Sequence, residues 1–186
     1  MKLNHHLLAI LFLAMLLGSC EDNHTTNPTQ NKPPTEEQLP PITTTGAGTF
    51  GCKVNGKVWV AKSNKTGWPP TYASINRQKK RLVHIIGMIS LNNSADQAIH
   101  IYFNDISVNN YPLHLTDDGL KSSRFEDGII NKSWETNNKL GGAMNITRLD
   151  TVSQIISGTF YFDCINEETN DTLHITDGRF DMHYTY

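Results

Sequence analysis

Hydrophobic and polar residues alternate along much of the chain after residue 48, which is the pattern of strands that bury one face. Residues 49–55 alternate in this way, and residues 57–62 do so again after Asn55-Gly56. Asn and Gly tolerate the positive φ that both central positions of a type I′ turn need. The pattern therefore predicts a hairpin in which Cys52 lies opposite Trp59.

The same alternation predicts a series of further short strands separated by turn signals. They cover residues 71–76, 82–91, 96–105, 111–115, 132–136, 142–149 and 154–164. Pro112 makes the strand at 111–115 an edge strand or places it at a strand start, because proline cannot donate to a sheet ladder. No stretch after Cys20 shows a long helical period. The chain is therefore expected to be all-β, either one antiparallel β-sandwich or a closed β-barrel of about ten short strands.

Residues 171–186 are expected to form a final hairpin that turns at Asp177-Gly178. On the apolar face this register sets Ile175 against Phe180. On the polar face it sets His174 against Asp181. One apolar and one polar face is what an antiparallel sheet with one wet side requires.

The N-terminus reads as an export signal rather than as part of the fold. Lys2 precedes an apolar run at residues 7–17, which is shorter than the roughly 20 residues that span a bilayer. Leu17-Gly18-Ser19-Cys20 then resembles a bacterial lipobox, which implies cleavage after residue 19 and a lipid on Cys20. The alternatives are an ordinary secretory signal followed by an unrelated cysteine, or, less favoured, a transmembrane anchor.

The acidic pair Glu21-Asp22 resembles the surface-export signal of Bacteroidetes lipoproteins. It implies an outer-membrane protein displayed on the cell surface, with the periplasmic face as the alternative. Residues 20–41 form the lipidated cysteine and a disordered linker rich in Pro and Thr, because such a segment has too little apolar surface to fold. Residues 42–186 form the β domain, which carries 14 acidic and 14 basic residues. A near-neutral domain gives no electrostatic reason to bind nucleic acid.

Two cysteines remain in the domain, and an exported protein favours pairing them. Cys52 and Cys164 are therefore a possible disulfide, with two buried free thiols as the alternative. The histidines of the strands show no metal-like spacing, so they are expected on solvated strand faces, with no metal site and no cofactor. No nucleophile motif, phosphate loop or paired-carboxylate motif is present, and no catalytic residue is predicted.

Two aromatic residues next to a Pro-Pro pair are the candidate ligand contacts. Trp68 ends a loop that is stiffened by Pro69 and Pro70, and Tyr72 follows in the next strand. A flat ring at the edge of a β domain can stack on a sugar; the alternative is that Trp68 plugs one end of the core. The basic connection at residues 77–81 is interpreted as a solvated hairpin tip, with an anion-binding turn as the alternative.

Several segments together resemble a family of small Bacteroidetes lipoproteins of uncharacterised function. They are TFGCKVNGKVW at 49–59, LPPITTTG at 39–46, ITRLD at 146–150, IISGTF at 155–160 and ITDGRFD at 175–181. The resemblance implies the lipid anchor and a compact β domain, and it brings no catalytic residues. The prediction is a membrane-anchored, non-enzymatic binding module that recognises a glycan or an envelope protein, the latter as an accessory or an immunity-type inhibitor; a hydrolase is the least favoured function.

Overall fold

Every regular element that the structure describes is a β-strand. The computed structural model describes residues 37–78, 82–91, 96–104, 107–113 and 122–186, and none of these lies in a helix that could span a membrane. The strands are β1 (Thr49–Val54), β2 (Lys57–Val60), β3 (Lys62–Ser63), β4 (Thr71–Asn76), β5 (Leu82–Ser90), β6 (Gln97–Phe103), β7 (Asn110–Leu113), β8 (Ser122–Asp127), β9 (Lys132–Glu135), β10 (Gly142–Asp150), β11 (Ile155–Ile165) and β12 (Thr172–His183). The lipobox with Cys20, His114 and residues 79–81 lie outside the described residues.

The strands form one mixed sheet that is nearly closed into a barrel. Its order is β2-β1-β12-β11-β9-β8-β6-β5-β3, with β4 on β5, β10 on β11 and β7 on β10. One closing seam is a single pairing of Ile165 with Glu135. The other joins β4 to the C-terminus, where the backbone N–H of Ile75 donates to Thr185 at 2.9 Å and that of Thr185 donates to Ala73 at 3.0 Å. The all-β prediction is confirmed, and the barrel describes the fold better than two separate sheets.

The core forms because inward positions recur every second residue, as strand geometry requires. Val83, Ile85, Ile99 and Ile101 are fully buried on one side of the barrel. Aromatic rings fill the other side, and the ring of Phe50 presses on Gly87, where an added Cβ would lie 2.3 Å from Phe50 Cδ1. Each large side chain buried here contributes about 2 kcal/mol relative to an exposed one.

The first hairpin forms as the sequence predicts. Cys52 pairs with Trp59, and Asn55 and Gly56 have φ of 47° and 80°. Pro112 lies on β7, which pairs with β10. The sequence missed β8, because Phe125 is its one large inward side chain and the small Ser123 fills the other inward position.

The predicted hairpin at Asp177-Gly178 is wrong, because β12 is one continuous strand. The pairing with β11 shifts between Phe160 and Phe162 at this point, so the dipeptide forms a β-bulge instead of a turn. Asp177 takes φ of 53°, which Asp tolerates better than most residues. Because the strand is continuous, the predicted pairs Ile175–Phe180 and His174–Asp181 do not form. His174 instead contacts Asp163 at 2.8 Å, and Asp181 points into the protein.

The two cysteines do not meet, which corrects the predicted disulfide. Cys52 is on β1 and Cys164 on β11, and β12 lies between them. Two strand spacings amount to about 10 Å, whereas bridged Cα atoms lie within roughly 7 Å. Both thiols are free and buried. Burial raises the pKa of Cys52 far above its usual range and, with Asp163 nearby, that of Cys164 to about 12.

An extended N-terminal segment, residues 37–48, lies along the barrel; we call it the strap. Glu37 pairs with Lys62 Nζ at 2.8 Å. The carbonyl of Pro40 accepts from Arg179 Nη1 at 3.3 Å, and the carbonyl of Thr44 accepts from Arg148. Residues 37–41, which composition assigns to the linker, therefore include residues that contact the barrel.

The buried carboxylate of Asp181 holds the strap. It accepts backbone N–H bonds from Thr45 at 2.8 Å, Gly46 at 2.7 Å and Ala47 at 3.2 Å. The hydroxyls of Thr43 and Ser157 donate at 2.6 and 2.7 Å. Burial by itself would raise the pKa of Asp181, but these hydrogen bonds outweigh it and hold the pKa well below the usual range.

Replacing Gly178 by Ala should destabilise the fold by about 2 kcal/mol, the usual cost of overpacking. A Cβ there would lie 2.5 Å from the Phe160 ring and 2.6 Å from the Phe160 carbonyl oxygen, and the backbone cannot move away freely. Urea unfolding of Gly178→Ala measures the loss. Val152→Ala, at a side chain that is 92% exposed, is the matched control and should leave the midpoint unchanged.

Asp181→Asn should destabilise the fold by about 3 kcal/mol, because the amide cannot accept all of the donors around it. The folded pKa of Asp181 lies below its unfolded value of roughly 4. Its contribution is therefore complete above that pH and is lost as the pH falls below it. Urea unfolding between neutral and acidic pH should show a flatter profile for the variant.

Asp163→Asn is the control for this prediction, since the Asp163 carboxylate pairs with His174 at the surface. Exposed pairs of this kind contribute well under about 1 kcal/mol. Equal stabilities for the two Asp variants would contradict the assignment of Asp181 as the anchor of the strap.

Candidate functional site

A connected set of polar and aromatic side chains lies on the outer face of β4, β5, β6 and β8. Strand register builds it, because outward positions on neighbouring strands fall side by side. His84 pairs with Ser74 on one side and Tyr102 on the other, and His100 pairs with Arg124. We call Tyr72, His84, His100, Tyr102, Arg124 and Glu126 the outer cluster.

The two histidines of the outer cluster contact each other. His84 Nε2 lies 3.1 Å from His100 Nδ1. The His84 ring also stacks on Tyr102, with ring centroids 4.1 Å apart and planes inclined by 11°. Flat rings from adjacent strands therefore form a layer on the sheet, instead of the solvated strand faces that the sequence predicts.

A carboxylate and a guanidinium complete the cluster. Glu126 lies 3.2 Å from His100 Nε2 and 2.8 Å from Arg124 Nε. Both nitrogens are buried and neither makes a well-aligned hydrogen bond, so these contacts are ion-pair distances. The carboxylate favours a proton on His100 Nε2, which leaves His100 Nδ1 to accept from His84.

The pKa values of both histidines are lowered. Burial, then the charges of His100 and Arg124, lower the pKa of His84 to about 4. Burial also lowers the pKa of His100, and Glu126 offsets this only in part. Burial raises the pKa of Tyr102. The cluster thus offers ring faces and hydrogen-bonding groups, with its charge on Arg124 and Glu126.

An open groove of about 410 Å³ adjoins the cluster. Tyr72 belongs to both, since its ring meets His84 edge-on at 6.5 Å. The groove is lined by Tyr72, Ser74, Ile75, Asn76, Arg77, Gln78, Thr185 and Tyr186. Hydrogen bonds with Thr185 and Ser74 lower the pKa of Tyr72.

Arg77 is held against one wall of the groove. Its Cζ lies 3.4 Å from the centroid of the Tyr186 ring, a close cation–π contact. Among the described residues, no carboxylate lies within ion-pair distance of Arg77. The guanidinium therefore retains in-plane donors for a ligand.

The two predicted stacking residues are not brought together. Trp68 does not line the groove; it lies in the loop before β4, with Lys65 Nζ 4.0 Å from its ring centroid. The Trp68 side chain is 52% exposed, so it does not plug the core. Sequence reasoning missed the histidine pair, although the outward His100 and Tyr102 in a strand were a signal that could have found it.

The described part of the chain has other surface depressions. One of about 340 Å³ lies beside Ile42, Tyr161 and Arg179. A second of about 320 Å³ is mainly polar and includes Glu135 and Asn166. Within the described ranges, no three His, Cys, Asp or Glu side chains are grouped so that they could hold a metal ion.

His84 should titrate near pH 4, and His100→Gln should raise that midpoint because it removes a positive neighbour. The pKa of His100 should fall further in Glu126→Gln, which removes the carboxylate that favours its charged form. Long-range ¹H–¹⁵N NMR spectra of the imidazoles report both midpoints and the tautomers. A His84 midpoint that is the same in wild type and His100→Gln would contradict the contact between the rings.

Comparison with known proteins gives a family and no characterised relative. No curated protein and no solved structure matches the chain. A family model described as a domain of unknown function (DUF6252) matches residues 48–182. The match runs from the start of β1 almost to the end of β12 and includes the whole outer cluster. The chain therefore belongs to the DUF6252 family of domains of unknown function.

Proposed function

We propose that this protein is a lipid-anchored, non-enzymatic binding module that holds a carbohydrate in the groove beside the outer cluster. The observation that carries the proposal is the pair of tyrosines that border the groove. Tyr72 is 42% exposed and Tyr186 is 50% exposed, so part of each ring is open to a ligand.

A saccharide fits the chemistry of this groove. The flat apolar face of a tyrosine ring matches the C–H face of a sugar ring. Ser74, Asn76 and Gln78 add hydroxyl and amide groups that can exchange hydrogen bonds with sugar hydroxyls. Arg77 adds a positive charge, so a sugar that carries a carboxylate should bind better than a neutral one.

The anchor is the second part of the proposal. The resemblance of residues 17–20 to a lipobox supports a lipid on Cys20, and Glu21-Asp22 supports export to the cell surface of a Bacteroidetes outer membrane. Acyl chains contribute about 0.8 kcal/mol per buried CH₂, so two or more of them hold a protein on a membrane. Periplasmic retention is the alternative, and protease treatment of intact cells distinguishes the two locations.

The non-enzymatic part of the proposal is supported by the state of the reactive groups. Both domain thiols are buried with raised pKa values, and a thiol in that state is a poor nucleophile. The buried Asp181 already accepts hydrogen bonds from the strap and from Ser157. A protein-facing role, such as envelope accessory or immunity-type inhibitor, is the outcome we expect if no glycan binds.

Tyr72→Ala should weaken glycan binding about fivefold, because losing one stacking ring removes on the order of 1 kcal/mol. The measurement is binding to a glycan array that includes neutral and uronic-acid saccharides, followed by titration of the best ligand. Arg77→Gln should reduce the preference for the acidic ligands over the neutral ones.

Tyr161→Ala is the matched control, since Tyr161 is 57% exposed and belongs to β11, away from the groove. It should bind like the wild type. Equal losses in both tyrosine variants, or array binding that Tyr72→Ala leaves unchanged, would contradict the groove as the glycan site.

A further inference from the structure

One end of the barrel collects exposed apolar side chains. We call it the tether end: the loop at 64–70, Leu91, and the β8–β9 turn at 128–131. Backbone hydrogen bonds place these parts together. Asn64 N donates to Ser90 O at 3.2 Å and Met88 N to Pro70 O at 2.8 Å. On the other side, Gly128 N donates to Asp96 O at 2.9 Å, and Leu91 N donates to the Asp96 carboxylate at 2.8 Å.

The apolar side chains at this end are unusually open to solvent. Ile129 is 72% exposed, Ile130 is 55% exposed, and Trp68 is 52% exposed. The two isoleucines are adjacent at the tip of a tight turn. Asp127 Oδ1 accepts from the backbone N–H groups of both, at 3.0 and 3.3 Å. These hydrogen bonds hold the turn in shape. The two isoleucine side chains stay in contact with water, which is unfavourable until another apolar surface covers them.

The chain also reaches the barrel at this end. Glu37, the first described residue, pairs with Lys62 at 2.8 Å. Lys62 belongs to β3, which runs parallel to the last residues of β5 through the pairs Lys62–Ile89 and Ser63–Ser90. Cys20 precedes Glu37 by 17 positions, so even a fully extended connection spans at most roughly 60 Å.

The groove faces away from this end. It includes Asn76, the last residue of β4, and Arg77 and Gln78 after it. These residues lie at the end of the β4–β5 pair where Asn76 pairs with Leu82. The tether end lies at the other end of β5, beyond Ser90. The groove and the described start of the strap therefore lie toward opposite ends of β5.

We propose that the tether end rests on the lipid bilayer, with Ile129, Ile130 and Trp68 in the headgroup region. This inference depends on the lipid anchor that is part of the proposed function. A short tether that attaches at an apolar end keeps that end close to the membrane at high effective concentration. Trp68 with Lys65 above its ring suits the interface, where an indole lies at headgroup depth and an ammonium group meets lipid phosphate.

The test uses the mature, lipidated protein in phosphatidylcholine vesicles that contain a lipid brominated near the top of its acyl chains. Bromine quenches nearby indoles, and Trp68 is the exposed tryptophan, since Trp59 and Trp134 are 6% and 7% exposed. We expect clear quenching that disappears in Trp68→Phe. Ile129→Ser with Ile130→Ser should reduce the quenching at least twofold, because the tip no longer holds this end in the interface.

The control is Val152→Ser, because Val152 is 92% exposed on the β10–β11 turn and is not part of the tether end. It should quench like the wild type. Flotation of the vesicles separates the two proposals. Protein that floats without quenching of Trp68 overturns this inference alone. Protein that does not float overturns the anchor and the inference together. Quenching that falls as the protein-to-lipid ratio rises would assign the tether end to contact between copies and would also overturn the inference.

Discussion

The arrangement of this protein depends on the hydrogen bonds that the buried carboxylate of Asp181 accepts from the strap. A buried charge is tolerated only when hydrogen bonds replace its hydration, and the strap supplies them from consecutive backbone N–H groups. Gly46 and Gly48 take the positive φ values that let the strap curve around the carboxylate. Because this contact fixes the strap, it also decides how residues 43–47 lie against the barrel.

The core packing and the outer cluster lie on different strands of the barrel. β11 and β12 are the longest strands of the sheet. They carry the bulge, the Asp181 carboxylate that holds the strap, and the packed rings of Phe160, Phe162 and Phe180. β4, β5, β6 and β8 carry the outer cluster on the face that is not needed for the core. A site on the outside of a closed sheet can vary without disturbing the core, because inward and outward side chains alternate.

The outer cluster and the tether end also suggest one orientation. The groove lies toward the β4–β5 turn, whereas the strap begins beside β3 at the opposite end of β5. His84 contacts Tyr72, and its pKa of about 4 means that it adds no positive charge beside the groove at neutral pH.

The strands with strong alternation and the tight first turn could be predicted from the sequence, because both follow from local chemistry. Cys52 opposite Trp59 is an example, because a two-residue turn sets the register. Other features depend on the tertiary fold, because local chemistry allows more than one outcome for them. Asp177-Gly178 suits a turn or a bulge equally, and only the partners on β1 and β11 selected the bulge. The separation of Cys52 from Cys164, the role of Asp181 and the meeting of His84 with His100 depend on which strands become neighbours, and no local pattern encodes that order.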